Sequence, residues 1–115
     1  MTLEQLHDGM KRVLKATHWD LKTDIESEVL RIDEGRIQID LSTPTSDLIW
    51  YSVYSYREVP STHYDDPPEV EEVLVYNGSS VIDAFIAVIS HLQAEAIEGA
   101  LEEWSGSPFT NVLDA

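Results

Sequence analysis

The sequence predicts an α+β fold in two layers: a four-stranded antiparallel meander covered by an N-terminal helix and a long C-terminal helix. Three observations carry this reading. Apolar residues recur at helical spacing near both ends of the chain. Between them lie segments rich in β-branched and aromatic residues. Short turn signals separate those segments, which favours neighbours joined as hairpins. The element order is α-β-β-β-β-α. At 115 residues the chain has the size of one domain. Residues 1–106 form that domain in this reading, and 107–115 form a loosely ordered C-terminal tail.

Residues 3–17 read as the first helix. Leu3, Leu6, Met10, Val13 and Leu14 share a stripe, with Glu4, Asp8, Lys11, Arg12 and Lys15 largely elsewhere. Thr2 followed by Gln5 is a capping box. Gly9 weakens the helix interior by up to about 1 kcal/mol, so the helix needs a packing partner.

Residues 25–41 read as a β-hairpin turning at Glu34-Gly35. That turn sets Ile32 opposite Ile37 and Leu30 opposite Ile39. Leu30, Ile32, Ile37, Ile39 and Leu41 then share a core face. Val29, Arg31, Asp33, Arg36, Gln38 and Asp40 share a wet one. Thr43-Pro44-Thr45-Ser46 reads as a turn and 48–57 as the third strand. Both faces of that strand are apolar or aromatic. A polar loop runs from Pro60 to Pro68, and 70–76 is the fourth strand, ended by Asn77-Gly78. Ser80, with Asp83 three residues on, then caps the second helix. Its stripe is Val81, Phe85, Ile89, Leu92, Ala96, Ala100 and Trp104, and Gly106 with Pro108 stops it. Phe85, Ile89 and Leu92 are expected in the core.

The charge is the strongest functional signal. Twenty-two acidic residues face seven Lys and Arg, a net charge of −15. No Lys or Arg follows Arg57. Such a chain repels nucleic acid and anionic lipid and suits a basic protein surface. The chain has no cysteine, so disulfides and thiolate metal sites are excluded. Met1-Thr2-Leu3-Glu4 is unlike a signal peptide, and no apolar run has the roughly 20 residues of a membrane span. A soluble cytoplasmic protein is expected.

Catalytic motifs are missing. No Gly-x-Ser-x-Gly elbow occurs, and the glycines at 9, 35, 78, 99 and 106 are isolated, so no phosphate loop exists. The histidines at 7, 18, 63 and 91 lack zinc spacing. His7 and His91 fall off the apolar stripes and are expected to be exposed. No enzyme activity and no cofactor are expected.

Two acidic groups are candidates for partner binding. Asp65, Asp66, Glu69, Glu71 and Glu72 crowd the approach to the fourth strand. Glu95, Glu98, Glu102 and Glu103 crowd the last turns of the second helix, with no nearby Lys or Arg in sequence. Negative charge there opposes the helix dipole, at about 0.3–1 kcal/mol per group. Salt adaptation of the whole chain would produce the same acidity. The first segment also serves as charged protection for an edge strand. A third candidate is aromatic: Trp50, Tyr51, Tyr54 and Tyr56, residue types that anchor interfaces.

The leading expectation is a non-enzymatic binding protein that shows carboxylates to a basic partner. One form is a nucleic-acid-mimic inhibitor of a DNA- or RNA-handling enzyme, of the phage counter-defence type. A charge of −15 matches the phosphates of roughly 7–8 base pairs. The alternatives are a Ca²⁺ site at Asp65, Asp66 and Glu69, within the acidic 63–72 segment, and a homodimer or larger assembly joined through the aromatic strand.

Overall fold

A computed structural model describes residues 1–60 and 65–105. The predicted tail and the loop residues 61–64 lie outside the described residues. The chain opens with α1 (Leu3–Ala16), and the capping box forms as predicted. Gln5 N–H donates to Thr2 Oγ1 at 3.1 Å, and Thr2 N–H donates to Gln5 Oε1 at 2.9 Å. The helix stops in a Schellman turn built on a histidine. His18 sits at φ 63°. Trp19 N–H reaches Leu14 O at 2.9 Å and His18 N–H reaches Lys15 O at 3.2 Å.

Five strands follow: β1 (Thr23–Glu26), β2 (Val29–Ile32), β3 (Ile37–Thr45), β4 (Leu48–Val59) and β5 (Glu69–Gly78). They form one sheet in chain order, each antiparallel to the next. The sequence predicts four strands. The fifth is β1, split from β2 by a two-residue turn at Ser27-Glu28, both with positive φ. Neither residue announces a left-handed turn, which glycine or asparagine ordinarily supplies. Thr23–Glu26 also holds a single apolar residue, Ile25, so no alternation marks it.

The predicted register between β2 and β3 is the observed one: Leu30 faces Ile39 and Ile32 faces Ile37. At the turn, Arg36 N–H closes on Asp33 O at 3.2 Å and the Arg36 guanidinium holds Asp33 Oδ2 at 2.9 Å. The turn predicted at residues 43–46 lies further on. Thr45 pairs with Leu48, so Ser46-Asp47 forms the bend, after an irregularity between Ser42 and Thr45 that accommodates Pro44.

The last element is α2 (Val81–Ser105). Ser80 Oγ accepts from Asp83 N–H at 3.2 Å, and the Tyr76 hydroxyl accepts from Ser80 N–H at 3.2 Å. The tyrosine thereby ties the helix start to β5. Both helices lie on one sheet face. Leu6, Met10 and Leu14 of α1 and Ala84, Val88 and Leu92 of α2 enclose Leu30, Ile32, Ile37, Ile39, Tyr51 and Val53.

The buried stripe of α2 is rotated from the predicted one. Ala84, Val88 and Leu92 are buried, whereas Phe85 and Ile89 are half-buried and Ala96, Ala100 and Trp104 are exposed. The reason is compositional. α2 is apolar nearly all round, so no single stripe stands out, and the shape of the sheet decides which side is covered. Phe85 packs on α1 instead. A Cβ at Gly9 would lie 3.1 Å from the Phe85 ring. The glycine that weakens α1 is where the other helix approaches.

Candidate binding surface

Antiparallel pairing sends alternate side chains to opposite faces, and the helices cover one of them. The other is open. On it β4 presents Trp50, Ser52, Tyr54 and Tyr56. Their cross-strand neighbours are Ser42, Asp40 and Gln38 on one side, and Asn77, Leu74 and Glu72 on the other. Asp24 and Glu26 of β1 and Glu58 of β4 extend the same face, and Val70 pairs with Glu58. Trp50, Tyr54 and Tyr56 are partly exposed; Leu74 is 53 % and Val70 65 % exposed.

Tyr51 belongs to the other face. It is 4 % exposed and part of the core, so it separates from the three aromatic residues with which it was grouped. Asn77 organises one end of the open face: Trp50 Nε1–H donates to its Oδ1, and Ser52 Oγ lies 3.1 Å from the same oxygen. At the other end is a shallow depression of about 430 Å³, lined by Gly35, Arg36, Tyr56, Arg57, Glu58 and Val70.

The electrostatics of this face are one-sided. The strands hold two cationic residues, Arg31 and Arg57. Arg31 lies on the open face and is held by Glu26, by Asp24 at 3.6 Å and by Glu34 O at 3.0 Å. Burial among the strands, and then the field of Glu72, hold the Asp40 carboxyl above its ordinary range. Burial also raises the Tyr56 phenol, helped by Glu72, to which it is hydrogen-bonded, and by Asp40 and Tyr54.

A second charged group forms on the helix side. Glu95 is held by Arg36 and by His91 Nε2 at 2.7 Å. Arg57 holds Glu71 at 2.7 Å, and its charge is further supported by the fields of Glu98 and Glu95. The expectation that no basic residue answers the α2 glutamates is therefore corrected for Glu95. Its partner comes from the β2–β3 turn, 59 positions away. His7 and His91 are likewise half-buried, not exposed. His7 Nε2 meets Thr23 Oγ1 at 2.8 Å and His91 Nε2 meets Ser55 Oγ at 2.8 Å.

Ser55, His91 and Glu95 are the three residue types of a nucleophilic relay, but the arrangement does not make one. Ser55 and Glu95 both contact Nε2. The proton that faces Glu95 occupies the nitrogen that would have to accept the serine proton, whereas a relay uses the two ring nitrogens separately. Ser55 is also 7 % exposed. The trio fastens α2 to β4.

Asp65, Asp66 and Glu69 are exposed, and so are Glu98, Glu102 and Glu103. Glu72 joins the open face and Glu71 the helix side. Among the described residues no three acidic or histidine side chains converge on a cation position, and Asp65, Asp66 and Glu69 form no such group. His63 lies outside the described residues. No described helix is long and apolar enough to cross a membrane. No family model, no curated protein and no solved structure matches the chain.

Proposed function

We propose that the protein is a binding module, not an enzyme, and that the open sheet face docks a basic surface of a partner protein. One observation carries this reading. Trp50, Tyr54 and Tyr56 stand uncovered among Asp24, Glu26, Asp40, Glu58 and Glu72, and the arginine in their midst is already held by its own carboxylates. Aromatic anchors inside a charged rim are the usual composition of a protein-binding patch. The rim carries little net attraction for itself, so a Lys- or Arg-rich partner gains where this chain loses. The acidic Asp65–Glu72 segment borders the same face through β5. Glu98, Glu102 and Glu103 lie on the helix side and add long-range attraction. Inhibition of a DNA- or RNA-handling enzyme by mimicry of its substrate is one form of this activity, and the charge supports it.

The test is affinity capture from the host's lysate at low salt, with elution by salt. A captured basic protein should lose affinity about tenfold or more with Trp50→Ala or Tyr54→Ala. Its association should slow and its salt dependence flatten with Asp40→Asn/Glu72→Gln. Binding unchanged by all four substitutions would place the interface elsewhere.

A further inference from the structure

α2 carries a second apolar stripe, on the side turned away from the sheet. Ile82, Ile86 and Ile97 are 66 %, 56 % and 61 % exposed. With Ile89, Gln93, Ala100 and Trp104 they occupy positions 82, 86, 89, 93, 97, 100 and 104. The steps between these are 4, 3, 4, 4, 3 and 4, the spacing of a helix–helix seam. Read backwards, the series is the same. Gln93 is its centre.

We propose that this stripe joins two copies of the chain through an antiparallel α2–α2 contact, with the two-fold axis at Gln93. A two-fold interface must be self-complementary: if residue i meets j, then j meets i. A seam centred on Gln93 meets that condition along its length. Ile89 meets the partner copy's Ile97, Ile86 meets Ala100, and Ile82 meets Trp104. A large side chain opposes a small one at the 86–100 pair, which lets the helices approach there. Gln93 meets itself. Its amide has both donors and an acceptor, so two copies related by the axis exchange hydrogen bonds and fix the register.

Two further features favour a second copy as the occupant. Val13, Thr17, Ile82, Phe85, Ile86 and Ile89 form an apolar groove of about 320 Å³ between α1 and the first half of α2. Antiparallel pairing lays the acidic last turns of the partner's α2 beside that groove. Glu103 is about five turns along from Phe85 on the same side of α2, the side that packs on α1, and α1 supplies exposed Arg12, which is paired with its own Asp8 at 3.0 Å. α2 has no Lys or Arg of its own, so a parallel pairing would set glutamate on glutamate. The stripe is about 33 Å long and about 10 Å wide, a footprint of some 330 Å². That is the size of the largest apolar patch on an ordinary monomer, a patch that is often functional. Two copies of that footprint come to about 660 Å², below the size of a standard stable interface, so the dimer is a weak one whose formation depends on concentration.

Salt separates this contact from the one proposed for the open face. Two chains of −15 repel, so added salt should strengthen self-association, whereas it should weaken docking of a basic partner. Sedimentation velocity of the purified chain between about 1 and 500 μM, at low and high salt, should show a monomer–dimer equilibrium that salt shifts toward dimer. Ile86→Glu should weaken it on the order of 100-fold or more, by burying an unpaired charge, with the helical dichroism unchanged. The chain has no cysteine, so single cysteines report geometry directly. Gln93→Cys should cross-link to itself under mild oxidation. Ile97→Cys should not, because its two copies lie about 12 Å apart along the seam, beyond the roughly 7 Å reach of a disulfide. A chain that stays monomeric across this range overturns the proposal. So does equal cross-linking at both positions, or a dimer broken by Trp50→Ala and untouched by Ile86→Glu.

Discussion

Truncating Glu95 should reveal that the acidic end of α2 has structural and surface glutamates side by side. Glu95 accepts from Arg36 and from His91, and its side chain is 32 % exposed. Glu95→Ala removes both interactions at once. The Arg36 pair is half in water, with 53 % of the arginine side chain exposed, and contributes about 0.5–1 kcal/mol. The His91 contact is better sheltered and involves a charged acceptor. Its loss leaves Nε2 with Ser55 alone, at about 1–2 kcal/mol. Alanine recovers a few tenths of a kcal/mol in helix propensity. The expected loss is therefore about 2 kcal/mol. In a urea melt with a slope of about 1.5–2 kcal/mol/M, the midpoint should fall by about 1 M. Glu98→Ala is the control. Glu98 is exposed and acts on Arg57 only through its field, so its removal should stay within about 0.5 kcal/mol. A double-mutant cycle of Glu95→Gln with Arg36→Met should give a coupling near 0.5–1 kcal/mol that fades at about 1 M salt. The reasoning is refuted if Glu95→Ala stays within about 0.5 kcal/mol of the parent, or if Glu98→Ala costs as much as Glu95→Ala.

Two other outcomes follow from local chemistry. Ser27 and Glu28 hold left-handed backbone at the β1–β2 turn, which costs non-glycine residues roughly 1 kcal/mol apiece. Ser27→Asn with Glu28→Gly should raise stability by about 1 kcal/mol in thermal or urea melts, and a loss would show that the turn is not of this type. The Asp40 carboxyl is held above its ordinary value by burial and then by Glu72. The folded state therefore keeps its proton to higher pH than the unfolded chain, and stability falls as pH rises from the ordinary value of 3.8 through the raised one. Asp40→Asn should flatten that segment of the stability–pH curve and leave the protein more stable at neutral pH; an unchanged curve would show that Asp40 is well solvated.

Much of the fold was legible because its signals are local. The β2–β3 register follows from four isoleucines and leucines on one face of a short turn, and α1 follows from its cap and stripe. Where the deciding partner is distant, the sequence is silent. Nothing near residue 95 indicates Arg36, and nothing near residue 91 indicates Ser55. The face that α2 buries depends on where the sheet lies, because the helix offers apolar residues on several sides. Tyr51 and Tyr54 are both tyrosines in an aromatic strand, and only the placement of the helices assigns one to the core and the other to solvent. The five-strand count was hidden by a turn whose residues are ordinary and whose backbone is not.

Because every strand pairs with its neighbour in the chain, the sheet can assemble in the order in which it is synthesised. Three of the four hairpins close over two to four residues and the β4–β5 hairpin over nine, so little chain entropy is lost at most steps, and local pairing of this kind favours fast folding. The side of the sheet nearest β4 is a different matter. Tyr51 and Val53 belong to a core that Ala84, Val88 and Leu92 complete. A nascent chain that has released β5 and not yet α2 carries a finished sheet with half its apolar face bare. That interval is the vulnerable one, and it closes when the turn of helix that holds Leu92 packs onto the sheet.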